Sequence, residues 1–211
     1  QAFPQFTKKT YAVYNIIDNE HIRTSSQAPQ QEMITGDGLL NAVFVGRLVP
    51  VKGIDMMIRV HAQLEKEGFH FRWYLVGYGP KKEEYEALAK ANGLEGKFIF
   101  LGLKENPYPY IKAADVFTLF SKTEGFGLVV TEAKILERPI IVTNFDAAFE
   151  QIESGKNGLI VENNFEAICA GMKRMLLDQA LRIQFSSTLK GFRFDNKSGY
   201  REVQQALFGN K

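Results

Sequence analysis

An α/β protein built on a doubly wound, six-stranded parallel sheet is what this sequence predicts, and three observations carry the prediction. Short apolar runs recur along the chain, Ala42-Val-Phe-Val45 and Phe98–Leu101 without interruption and Phe71–Val76 with one arginine, as expected of strands buried on both faces. Stretches with apolar residues on a single helical face separate these runs, as Ile54, Met57, Ile58, His61 and Leu64 do. Glycines stand where the runs end, at Gly46, Gly77, Gly102 and Gly125 with Gly127. Strand–helix alternation repeated six times implies a parallel sheet with right-handed crossovers.

The elements follow in order. Residues 10–17 are β-rich. Residues 19–38 are polar and end in Thr35-Gly-Asp-Gly38, a loop signal, so this stretch reads as a connector with one helix at most and not as a packed unit. After the strand at 42–45 and the loop 46–53 comes the helix of Ile54 to Leu64, closed by Gly68. Further strands are predicted at 71–76, 98–101, 115–120, 139–143 and 158–161. Helices are predicted over Lys81–Ala91, Pro107–Ala113, Leu128–Leu136 and Phe149–Glu153. Three C-terminal helical stripes follow, carried by Phe165 to Leu176, by Leu181, Phe185 and Leu189, and by Tyr200, Val203 and Leu207.

Bulk properties narrow the function. With 45% apolar and 24% charged residues the composition is that of an ordinary globular protein. A net charge of +2 over 211 residues gives no strong pull toward nucleic acid or membranes. The single cysteine, Cys169, excludes an internal disulfide and suits a reducing compartment. Cys169, His61 and Trp73 each fall on apolar faces and read as core. Three histidines and one cysteine, far apart in sequence, give no metal-ligand spacing, and no metal or cofactor is expected. No apolar run approaches the ~18 residues of a spanning helix.

Sheets of this class bind ligands beyond the carboxyl ends of their strands, so function is sought in the exit loops. Arg47 and Lys52 stand beside Gly46 and Gly53, just ahead of a helix N-terminus, an arrangement suited to a diphosphate. Neither a Walker A loop nor a G-x-G-x-x-G fingerprint is present, and two cations on a solvated rim would explain the pattern equally well. Gly77-Tyr-Gly-Pro80 is explained by a tight turn before a helix, and Asn106-Pro-Tyr-Pro-Tyr110 by a rigid helix start with packed rings. In Ser121 to Ala133, Glu124 lies in a loop and Glu132 about 8 Å further along the following helix. Gly125 and Gly127 allow a ligand close approach, and the amides near Gly127 and Leu128 form a positive helix end. Carboxylates suit sugar and ribose hydroxyls, although two acids near a helix start also simply complement its dipole.

Taken together, residues 42–161 resemble the nucleotide-binding half of the retaining group 1 (family 4) glycosyltransferases of GT-B fold. The resemblance rests on Val45-Gly-Arg-Leu48 with Lys52-Gly53, Leu75-Val-Gly-Tyr-Gly-Pro80, Phe100-Leu-Gly102 and Ala114-Asp115. It continues through Glu124-Gly-Phe-Gly-Leu128 to Glu132-Ala133, Pro139-Ile-Ile-Val-Thr143, Glu150 with Ile152, and Gly155-Lys-Asn-Gly-Leu159. It implies a Rossmann-like sheet forming one half of a GT-B enzyme. By the same resemblance Arg47 and Lys52, with Gly46 and Gly77 nearby, hold the donor diphosphate, and Gly127 and Leu128 add phosphate contacts. Leu103 and Gly102 border the base, Glu132 binds the ribose, and Glu124 touches the transferred sugar near the reacting centre. Asn15-Ile-Ile-Asp18 is similar to the start of the inter-domain linker. Residues 1–38 are therefore expected to be the end of an absent N-terminal domain with its linker, and residues 39–211 the donor-binding domain with C-terminal helices. Where the family often carries Gly-Gly after this strand, Asp146-Ala147 stands here, which weakens the expectation of a sugar contact from that loop.

The implied donor is a nucleoside-diphosphate sugar, UDP-linked in preference to GDP-linked. The implied acceptor is a glycan or a lipid-linked glycan, held through the absent domain, with no role for nucleic acid. The implied location is cytoplasmic, with peripheral association at the inner face of a membrane. The chain by itself is expected to bind donor and to turn over little or nothing. A sugar-nucleotide epimerase or a phosphorylase on the same scaffold, a non-catalytic nucleotide-binding module, and a response-regulator-like domain are the competing readings. A phosphorylase would want a lysine carrying pyridoxal phosphate, for which the sequence has no signature.

Overall fold

A computed structural model describes residues 17–195. The strand expected over 10–17, save its last residue Ile17, and the last helical stripe, Tyr200 to Leu207, lie outside the described residues. Among the described residues six strands form: β1 (Leu40–Val45), β2 (Phe71–Val76), β3 (Phe98–Gly102), β4 (Val116–Leu119), β5 (Ile140–Thr143) and β6 (Leu159–Val161). They make one sheet in the order β3-β2-β1-β4-β5-β6, every pairing parallel. The chain winds outward from β1 to β3, returns to lay β4 beside β1, and winds outward again to β6. The point where direction reverses, between β1 and β4, is where a doubly wound sheet opens a crevice at its strand ends.

Among the described residues eight helices connect and cover the strands: α1 (Asn19–Ser25), α2 (Ile54–Lys66), α3 (Lys82–Ala91), α4 (Tyr108–Ala113), α5 (Leu128–Ile135), α6 (Asp146–Gln151), α7 (Phe165–Leu177) and α8 (Gln179–Leu189). A 3-10 turn at Pro50–Lys52 precedes α2. Helix α2 packs on α3 and α7, while α1, α4 and α5 pack on one another. With right-handed crossovers these two groups cover opposite faces of the sheet. The inner strands are buried without alternation, as sandwiched parallel strands must be.

The core is rich in rings, with Phe44, Phe71, Trp73, Tyr74, Phe117, Phe120 and Phe185 fully buried. Trp73 needs a partner for its indole N–H, and Thr118 accepts it at 3.0 Å while donating to the Val43 carbonyl at 3.0 Å. His61 and Cys169 are buried as expected.

Two expectations are corrected. Residues 19–38 are not a loose connector: α1 seats on α4 and α5, Ile22 and Met33 join the core, and Ile17 just ahead of them joins it too. Asp18 caps α1 by accepting the His21 amide at 2.9 Å. Arg23 of α1 reaches Glu137 at 3.2 Å and the Phe192 carbonyl at 2.9 Å, so the segment is held by charge as well as by apolar contact. Helix α6 also starts and ends earlier than the expected 149–153. Its first turn is Asp146-Ala147-Ala148, an acidic residue at the positive end followed by the best helix formers, so only two residues separate the helix from the end of β5.

Candidate active site

The loop leaving β1 and the loop leaving β4 meet at the switch point because a glycine lets them touch. Gly53 adopts φ +67°, and a Cβ there would lie 2.4 Å from the Phe120 carbonyl oxygen. The Lys122 amide donates to the Val51 carbonyl at 2.8 Å and stitches the two loops together. Lys52 is thereby set against Glu124, and the two form an ion pair in which both side chains are largely covered. The Glu124 oxygen that receives Lys52 also accepts the Ser121 hydroxyl at 2.5 Å. Ser121 is fully buried, and its carbonyl accepts Thr143 Oγ1 at 2.6 Å and Asn163 Nδ2 at 3.2 Å. Neighbouring exit loops thus fix the base of the Glu124 loop.

Helix α5 begins directly after this loop. Its N-cap is Gly127 at φ +75°, a conformation that favours glycine. Among the described residues the amides of Gly127, Leu128 and Val129 have no acceptor, so the positive end of α5 stands open beside Lys52 and Glu124.

Glu132 sits one turn further along α5, with its side chain toward α4. It hydrogen-bonds with the Tyr108 hydroxyl. Burial raises its carboxyl above the ordinary carboxylate range, and the Tyr108 hydrogen bond opposes that rise. The Tyr108 phenol is itself pushed up, first by burial and then by the Glu132 charge. Pro107, the residue before Tyr108, lines a separate cavity.

That cavity, about 340 Å³, opens between the exits of β1, β2 and β3. Its lining includes Gly46, Arg47, Gly77, Tyr78, Leu103 and Pro107. Leu103 is 75% exposed and Tyr78 65%, flat apolar surface left uncovered at a strand exit. Arg47 is exposed and makes no ion pair among the described residues. Behind this lining the loops are laced by backbone. Gly46 donates to Val76 at 3.0 Å, Leu48 to Tyr78 at 3.0 Å, and Gly77 to Gly102 at 2.8 Å. A Cβ on Gly77 would stand 1.8 Å from the Gly46 carbonyl oxygen, so close approach requires glycine there.

The predicted residues therefore fall into adjoining groups. Gly46, Arg47, Gly77 and Leu103 share the cavity, Lys52 pairs with Glu124, Gly127 and Leu128 form the helix end, and Glu132 sits toward α4. A cavity, two cations, the open amides of α5 and two carboxylates thus lie along the carboxyl ends of one sheet. The sequence profile of the family described as "Glycosyl transferases group 1" matches residues 34–190. The chain belongs to this family.

The group 1 match is supported by relatives. A Campylobacter jejuni protein named N-acetylgalactosamine-N,N'-diacetylbacillosaminyl-diphospho-undecaprenol 4-alpha-N-acetylgalactosaminyltransferase is 30% identical over 99% of this chain and 56% of its own length. The Staphylococcus aureus capsular polysaccharide biosynthesis glycosyltransferase CapM is 29% identical over 66% of this chain and 37% of its own. The chain thus spans about half, or less, of the relatives it matches. In fold it is similar to the Anabaena protein HepE, solved in complex with UDP and glucose, with a TM-score of 0.76 at 21% identity over 92% of this chain and 55% of that one. It is also similar to WaaG, a glycosyltransferase involved in lipopolysaccharide biosynthesis, with a TM-score of 0.72 at 19% identity over 95% and 55%. These likenesses place the sheet in the GT-B class of this glycosyltransferase family.

Several site residues were not singled out by sequence. Ser121 stands within the motif stretch, three residues before Glu124, but its hydrogen bond to that carboxylate is a matter of loop shape. Tyr108 at the start of α4, Thr143 at the end of β5 and Asn163 after β6 reach the site from other elements; the first two lie in stretches the sequence marked as a helix start and a strand, and nothing local gives any of the three a role at the site. Among the described residues no cluster of three or more His, Cys, Asp or Glu could hold a metal ion, and no helix is long and apolar enough to cross a membrane.

Proposed function

We propose that this chain is the donor-binding half of a retaining glycosyltransferase that moves a sugar from a nucleoside diphosphate, UDP in preference to GDP, to a glycan or lipid-linked acceptor. The single observation that carries the reading is the convergence at the β1/β4 switch point. There Lys52 and Glu124 meet at the open N-terminus of α5, beside a cavity sized for a base.

In this reading the base enters the cavity lined by Gly77 and Leu103. The ribose hydroxyls reach Glu132, and the diphosphate lies across Arg47, Lys52 and the amides of Gly127 and Leu128. Bond cleavage puts negative charge on the departing diphosphate, and fixed cations and amide dipoles stabilise that charge as it develops. Lys52 has two assignments in turn. Without donor it neutralises Glu124; with donor it turns to the diphosphate and frees the Glu124 carboxylate for the sugar hydroxyls. The acceptor would approach from the opposite wall of the cleft, supplied by an N-terminal domain of the full-length protein, which would act in the cytoplasm at the inner face of a membrane. This chain by itself is expected to bind donor with little or no turnover.

Calorimetry of UDP, GDP and ADP, free and sugar-linked, on wild type, Lys52→Ala and Glu132→Gln tests the reading. UDP binding is expected, weakened about tenfold by loss of the Lys52 charge and reduced by Glu132→Gln. Absence of binding by all three nucleotides at millimolar concentration would refute it.

A further inference from the structure

Buried behind the Glu124 loop is an amide that the mechanism above does not use. Gln151, the last residue of α6, is 6% exposed. Its Oε1 accepts the Thr131 hydroxyl of α5 at 2.7 Å, and its Nε2 donates to the Phe126 carbonyl. A carbonyl oxygen can only accept, so the Phe126 contact fixes which way the amide is turned. The Gln151 backbone carbonyl in turn accepts Lys134 Nζ at 2.6 Å. Lys134 is itself buried, and its ammonium lies 4.3 Å from the centre of the Phe192 ring. Gln151 is thus clamped at both its side chain and its backbone, and one bond is left to act on the peptide between Phe126 and Gly127.

That peptide is where α5 opens toward the cleft. In a trans peptide the carbonyl and the N–H point in opposite directions. Holding the Phe126 carbonyl toward α6 therefore turns the Gly127 N–H away from α6. Since β4 lies between β1 and β5 in the sheet, away from α6 is toward Lys52 and Glu124. Gly127, at φ +75° with ordinary contacts around a would-be Cβ, is free to swing if nothing holds the preceding carbonyl.

We infer that Gln151 is a positioning residue: by gripping the Phe126 carbonyl it aims the Gly127 amide, and with it the first turn of α5, at the donor diphosphate. The inference rests on the proposed donor site. It separates two roles for a buried glutamine. A purely structural one would stabilise the α5–α6 contact and affect all ligands alike. A positioning one affects ligands carrying a diphosphate and spares those without it.

The test compares UDP with uridine on wild type, Gln151→Leu and Gln151→Glu, by calorimetry and by saturation-transfer NMR, with thermal melting alongside. Leucine keeps the volume and loses the donor. Glutamate keeps the acceptor for Thr131 but turns a carboxylate toward the Phe126 carbonyl. The expected result is UDP affinity about tenfold weaker in Gln151→Leu, the loss of one hydrogen bond to a charged group, and weaker still in Gln151→Glu, with uridine affinity unchanged in both. In 15N-labelled protein the Gly127 amide resonance should move on adding UDP to wild type and stay in place in Gln151→Leu. Unchanged UDP affinity in both variants, with wild type binding normally, would overturn the role of Gln151 and leave the donor site standing. Equal loss of UDP and uridine would assign Gln151 a structural role only and also overturn it. Failure of wild type to bind any nucleotide would remove the donor site and this inference together.

Discussion

On the β1–β2–β3 side of the switch point, exit loops touch backbone to backbone. On the β4–β5–β6 side, side chains hold them apart and in place. The first side is laced by the amides of Gly46, Leu48 and Gly77, with Gly77 leaving no room for a Cβ. The second depends on Thr143, Gln151 and Asn163, each reaching a carbonyl of a neighbouring loop, and on Ser121, which holds Glu124 within its own loop. Backbone lacing is stiff and leaves one shape for the base cavity. Side-chain bonds exchange partners by rotamer change, so the diphosphate and sugar side can answer the donor, as Lys52 must if it is to leave Glu124.

The largest effect is expected from breaking the lacing. Gly77→Ala puts a methyl against the Gly46 carbonyl and demands backbone movement, with a loss of about 3 kcal/mol of stability. For a domain of this size that lowers the melting temperature by roughly 6–12 °C, and uridine binding should weaken. A variant that melts with wild type would show that the loops are not pressed together.

Acid sharpens the contrast next. His61 on α2 is fully buried, its ring centre 4.1 Å from that of Phe71 and 5.9 Å from those of Trp73 and Phe98. Burial lowers its pKa from 6.5 to about 4, against the pull of the Glu65 carboxylate at 3.7 Å. The unfolded chain takes up this proton first. The contribution is therefore complete above about pH 6.5 and is lost as pH falls toward 4, amounting to about 3 kcal/mol. Burial raises the Glu65 carboxyl, but bonds from Lys97 and His70 outweigh it and leave that carboxyl below its ordinary range, so its contribution is also lost in acid. Glu132, across the switch point, has the opposite sign: its raised carboxyl contributes at low pH and stops contributing as pH rises through it. Denaturant midpoints between pH 7 and 4 should fall more steeply for wild type than for His61→Phe. Equal slopes would count against burial of a neutral His61.

The smallest effect belongs to the side-chain flank. Ser121→Ala deletes one hydrogen bond to Glu124 and keeps the Ser121 backbone contacts, at a cost of about 1 kcal/mol. UDP affinity should hold while affinity for the sugar-linked donor drops about fivefold. A matching drop for free UDP would contradict the division of labour between the two flanks.

The strands, the helices and the glycine-marked exits were legible in the sequence because they follow from local physics. Apolar period, buried β-branched runs and breaks at glycine act over a few residues, and they placed β1 to β6 to within a residue or two. The resemblance added the roles proposed for Arg47, Lys52, Glu124 and Glu132. What no stretch of sequence held was the company those residues keep. Lys52 meets Glu124 across 72 positions because β4 returns to lie beside β1. Ser121, Tyr108 and Gln151 acquire meaning only from what lies opposite them. Residues 19–38 read as a polar connector until α4 and α5 offered α1 a surface. Hydrophobic periodicity is set along the chain, but the pairing of polar groups is set across it. Strand order decides that pairing, and only the tertiary structure fixes strand order.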